Sequence, residues 1–64
     1  MDIAKNDFII VENCEDLASG IYLVQDMFFN PFLGNKEMFK MINTETDCEV
    51  CIPASSLKGK ARTC

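Results

Sequence analysis

The chain has 64 residues, 48% of them hydrophobic, and its six basic and ten acidic side chains give a formal net charge of −4. So short a chain buries only about 60% of the surface its unfolded form exposes, so residues 1–64 are read as one small domain with no separate catalytic unit and no more than ~3–5 kcal/mol of stability from its core. No window reaches the ~18 apolar residues of a membrane span and no secretory signal opens the sequence, so no membrane partner and a cytoplasmic location are expected.

The first periodic segment is Phe8-Ile9-Ile10-Val11, rich in β-branched residues and too short for a helix, and it reads as a strand. It ends in the polar cluster Glu12-Asn13-Cys14-Glu15-Asp16, after which Gly20 stands where a turn would need its freedom. Ile21 to Phe29 then forms a second strand, with Ile21, Leu23, Met27 and Phe29 on one face and Tyr22, Val24, Asp26 and Phe28 on the other. Both faces are largely apolar, so this strand is expected at the centre of the fold. Asn30-Pro31-Phe32-Leu33-Gly34-Asn35 carries turn signals at both ends and reads as a long hairpin loop. Phe32 and Leu33 within it either fold back as a lid on the core or stand out as a recognition tip.

Lys36 to Asn43 alternates imperfectly and is read as a third strand, with Met38, Lys40 and Ile42 opposite Phe39 and Met41, although Met38, Met41 and Ile42 also fit helical spacing. A polar turn over residues 43–47 leads into a fourth strand, Cys48 to Ile52. Pro53 suits the start of a short helical turn, Ala54-Ser55-Ser56-Leu57, because its φ is preset and its missing N–H is not needed there. The basic segment Lys58 to Cys64 closes the chain as a terminal strand or tail.

Four or five short strands and one helical turn suit a mainly β, antiparallel small barrel. Val50-Cys51-Ile52-Pro53-Ala54-Ser55-Ser56-Leu57 resembles the penultimate strand, one-turn 3-10 helix and start of the last strand in SH3 and SH3-like barrels. Ser19-Gly20-Ile21-Tyr22-Leu23-Val24 is similar to the Gly-led strand after their first long loop. The resemblance implies an SH3-like barrel serving as a scaffold for binding, as in small proteins of phages and mobile elements. The chain has no Trp, one Tyr and a short first loop, so the aromatic groove that takes Pro-rich ligands is not expected.

The candidate chemistry is sparse. Cys48-Glu49-Val50-Cys51 has the spacing of half a zinc site, with Cys14 and Cys64 as isolated further thiols and no His anywhere. Residues three apart on a strand point to opposite faces, so Cys48 and Cys51 cannot grip one ion unless the strand breaks. Redox catalysis would need the pair at a helix N-terminus, and a Ser or Cys nucleophile lacks a His base. Ser55 and Ser56 are read as turn residues, and a reducing cytosol favours free thiols. No cofactor, metal ligand or catalytic residue is therefore assigned.

Charge is unevenly spread. Residues 1–35 hold six acids against Lys5, net −5, whereas residues 36–64 hold five bases against four acids, net +1. The acidic first half points to a protein partner with a basic surface, and nucleic acid is disfavoured because Lys58, Lys60 and Arg62 lack interleaved aromatics. The expected function is a non-catalytic binding module, in its most concrete form a phage-type modulator or inhibitor of a host protein. Its expected contacts are Tyr22, Phe28, Phe32 and Leu33, with Glu15, Asp16 and Asp26 as a charged rim. A zinc-stabilised module using Cys48 and Cys51, and a nucleic-acid-binding small barrel, are the alternatives.

Overall fold

The structure is a computed structural model and describes residues 3–64. Five strands follow in chain order: β1 (Phe8–Val11), β2 (Gly20–Asn30), β3 (Lys36–Asn43), β4 (Glu49–Pro53) and β5 (Ala61–Thr63). They form one antiparallel sheet in the order β4-β3-β2-β1-β5. The mainly β reading therefore holds, and the third segment is a strand over the range its alternation indicated. The sheet is not closed into a barrel, because β4 and β5 at its two edges do not pair. Among the described residues no helix is long and apolar enough to cross a membrane.

Two 3-10 turns are present where one was expected. Ala54–Leu57 follows Pro53 as the sequence indicated and buries Leu57 completely. The second is Pro31–Leu33, at the tip of the β2–β3 hairpin. Its start is set by Asn30, whose side-chain oxygen accepts the Phe32 N–H at 3.0 Å, and by Pro31, whose ring fixes φ. Its end is set by Gly34 at φ 69°, a left-handed conformation that costs glycine little.

The core lies on one face of the sheet. Ile9 and Val11 of β1, Tyr22 and Val24 of β2, Phe39 and Met41 of β3 and Ile52 of β4 are all buried there, with Ile3, Leu17 and Leu57. Cross-strand register explains this set: Ile9 faces Tyr22, Val24 faces Met41, and Phe39 faces Ile52. The Tyr22 hydroxyl donates to the Ala18 carbonyl at 2.8 Å, which lets the ring be buried without an orphaned polar atom. Asn43 closes the β3 end of this row, its buried Oδ1 accepting N–H groups from Glu45 and Thr46.

β2 sits in the middle of the sheet as its two apolar faces imply, but those faces do not run its full length. The register against β3 shifts between Val24 and Asp26, so Gln25 is an extra residue in a bulge. Adding one residue swaps the faces, so Tyr22 and Val24 share the core side with Met27, and Ile21 and Leu23 share the outer side with Asp26 and Phe28. Residues 6 and 7 dock beside the bulge: Val24 N–H donates to the Asp7 carbonyl, and Asn6 N–H donates to the Val24 carbonyl. The Gln25 Oε1 is buried there without a hydrogen-bond partner.

Candidate functional site

β2 links two different ends of the molecule. At about 3.3 Å per residue an eleven-residue strand is as long as the molecule's 31 Å long axis. The β1–β2 loop, carrying Glu15 and Asp16, lies at one end, and the β2–β3 hairpin tip lies at the other. Beyond the bulge β2 pairs only with β3, because its pairing with β1 ends at Leu23. The hairpin therefore extends past the core.

Four apolar side chains stand on that extension. Phe32 is 94% exposed, Phe29 66%, Leu33 50% and Phe28 38%. Phe32 and Leu33 are held in place by the capped 3-10 turn, so the backbone that presents them is defined by Asn30, Pro31 and Gly34. Of the two readings of this loop, the structure takes the exposed tip. Scattered apolar residues are ordinary on a protein surface, but four within six positions concentrate exposed apolar area at one projecting end, with Phe28 and Phe29 on opposite faces of β2. Phe29 was absent from the expected contacts, which took Phe28 from this strand's end. The register keeps it on the same side of β2 as Met27, and the lack of a second neighbouring strand leaves it in solvent.

The other expected contact residues are placed differently. Tyr22 is only 2% exposed, so its expected role as a contact is corrected: it is a core residue, enclosed because β1 and β3 flank it on both sides. Asp26 is exposed on the outer side of β2, opposite Lys40. Glu15 and Asp16 are exposed in the β1–β2 loop. They are thus separated from Phe32 and Leu33 by the length of β2 and do not form a rim around the tip. Around the tip itself, Asp26 and Glu37 are balanced by Lys36 and Lys40, so the apolar patch sits in locally neutral surroundings.

The four cysteines are free, and they are dispersed. Cys51 is exposed on β4 opposite Lys40, and Cys48 precedes that strand with its carbonyl accepting the Asn43 N–H. The fourth strand thus begins one residue later than the alternation implied, and Cys48 stands outside it while Cys51 is on it. Cys14 is half-buried against the core with its thiol 3.5 Å from the Ser56 carbonyl, and Cys64 follows β5 at the other edge of the sheet. Among the described residues no three His, Cys, Asp or Glu side chains converge on a point where a metal ion would sit.

The basic segment brings Lys60 and Arg62 to one cleft, beside the acidic Glu12. Arg62 is on β5, where its guanidinium lies 3.3 Å from the Glu12 carboxylate, and Lys60 lies at the mouth of an open cleft of about 310 Å³ beside Glu12 and Asn13. Comparison of the chain with family models, characterised proteins and solved structures finds no match.

Proposed function

We propose that the protein is a non-catalytic binding module that recognises a protein partner through the β2–β3 hairpin tip. The observation that carries this reading is the exposure of Phe29, Phe32 and Leu33 on a capped turn that projects beyond the core. Large apolar side chains held on a defined backbone lose little freedom on docking, so much of the energy of filling a pocket appears as affinity. The partner feature they fit is an apolar groove or pocket. The basic surface expected from net charge would meet Glu15 and Asp16 at the far end of β2, as a secondary contact on a large partner or as long-range steering.

The SH3-like part of the reading draws support from the strand order and from the 3-10 turn between β4 and β5, both of which that resemblance calls for. Use of such a scaffold by a phage-type modulator of a host protein is the most concrete form of the proposal. A reducing, cytoplasmic setting suits four thiols that are all free.

The test is affinity capture from candidate host lysates with three immobilised proteins: the parent, a Phe32→Ser/Leu33→Ser variant and a Glu15→Gln/Asp16→Asn variant. A specific protein held by the parent should be lost with the first variant and retained, with weaker salt dependence, by the second. Capture unchanged by the tip substitutions, or recovery of nucleic acid alone, would overturn the proposal.

A further inference from the structure

A second apolar surface lies on the outer face of the sheet, on the opposite side of the bulge from the hairpin tip. Phe8 and Ile10 of β1, Ile21 and Leu23 of β2 and Ile42 of β3 form it, in cross-strand register: Phe8 opposite Leu23, Ile10 opposite Ile21, and Leu23 opposite Ile42. Phe8 is 50% exposed and Ile21 40%, and the other three are partly covered by these neighbours. The patch ends in a charge on each side. Arg62 of β5 stands opposite Ile10, and Glu49 of β4 stands opposite Ile42. Across the sheet the surface therefore runs from a cation, over three apolar strands centred on β2, to an anion.

We propose that this face docks on the same face of a second copy of the chain, about a two-fold axis parallel to β2. Rotation about that axis exchanges the two sides of the sheet, so Arg62 of each protomer comes to the side of its partner's Glu49. Arg62 is level with Ile21 and Glu49 with Leu23, two residues along the strand and within reach of the long arginine side chain. A two-fold axis perpendicular to the strands would instead set Arg62 over Arg62 and Glu49 over Glu49, and juxtaposed like charges oppose that arrangement. Charge thus selects one geometry, and a second copy supplies the complement by symmetry, as an isologous interface does. Within one protomer Arg62 pairs with Glu12 at 3.3 Å and Glu49 with Lys40 at 3.9 Å. All four side chains are at least half exposed or nearly so, and such pairs are too weak to hold Arg62 and Glu49 back from an intermolecular contact.

The five residues offer a small surface, so the dimer belongs to the weak, reversible class of interfaces burying less than about 1,200 Å² in total. The strand-parallel axis also leaves the two β2 strands pointing the same way. Both hairpin tips then emerge from one end of the dimer, where a partner with two sites, or two partners side by side, would meet them with enhanced avidity. The dimer itself does not depend on what the tips bind.

Analytical ultracentrifugation of the full chain under reducing conditions and low salt, from about 20 μM to about 1 mM, tests the proposal in the concentration range of weak interfaces. The weight-average mass should climb from 7.2 kDa towards twice that value. Arg62→Glu and Glu49→Arg should each weaken association by about tenfold, and the double exchange should restore it to within a few-fold of the parent. Intramolecular effects cannot mimic that rescue, because the exchange leaves Glu12 and Lys40 each beside a like charge. Phe32→Ser/Leu33→Ser should leave association unchanged. A protein that stays monomeric throughout, a double exchange no better than the single ones, or association that disappears with the tip substitutions would overturn the proposal.

Discussion

The two halves of β2 are similarly apolar, yet they end in different surroundings. Ile21-Tyr22-Leu23-Val24 lies between β1 and β3, and Tyr22 and Val24 are buried. Met27-Phe28-Phe29, past the bulge, has β3 on one side and no paired strand on the other, and Phe28 and Phe29 are exposed. Composition is not what separates them. Burial in a sheet depends on how many strands flank a residue and on what covers its face, so the same alternation yields a core in one half and a presenting arm in the other.

This contrast is open to attack by substitution, and the largest effect belongs to the enclosed half. Tyr22→Ala should cost about 3–5 kcal/mol, as truncation of a buried aromatic does, which is comparable with the whole stability expected of a domain this small. Urea unfolding followed by circular dichroism should find the variant largely unfolded without denaturant. A fully folded variant with a near-parental midpoint would mean that Tyr22 is not enclosed. Next in size is Asn43→Ala, which removes the acceptor for the Glu45 and Thr46 N–H groups at the β3–β4 turn. Its expected cost is about 1–2 kcal/mol, read as a lower urea midpoint with the same slope. Tyr22→Phe, which keeps the ring and deletes only the bond to the Ala18 carbonyl, should cost about 1 kcal/mol or less. The order of those two sharpens the comparison, since it separates packing of the first half of β2 from the polar contacts at its margin.

Much of the fold was legible in the sequence. The apolar runs Phe8–Val11 and Lys36–Asn43 are strands over the same residues, and Pro53 opens the 3-10 turn that the Pro-Ala-Ser-Ser segment implied. The fourth strand runs Glu49–Pro53 where Cys48 to Ile52 was expected, so the parity argument reaches Cys51 but not Cys48. The failures share one cause. Gln25 carries no local signal that it is an extra residue, since a bulge is decided by the pairing of two strands and not by one strand's own sequence. Without it, Tyr22 and Phe28 were placed on one face and both counted among the contacts, whereas they lie on opposite sides of β2. The candidate site was therefore visible in part, as Phe28, Phe32 and Leu33, whereas Phe29 and the separation of Glu15 and Asp16 from the tip required the three-dimensional register. The short turn at Pro31–Leu33 had its cap residues in plain view in Asn30, Pro31 and Gly34, but it was read as open loop because three residues are too few to show a helical period.

The central claim is that the hairpin tip is dispensable for folding and needed for recognition, and paired measurement of stability and binding on Phe32→Ser/Leu33→Ser tests it most directly. The unfolding midpoint should stay within about 0.5 kcal/mol per substitution of the parent, as for exposed positions, while capture of the protein partner is lost. A drop in stability of the size expected for a buried residue, with capture retained, would show that Phe32 and Leu33 pack on the core in solution and that recognition lies elsewhere.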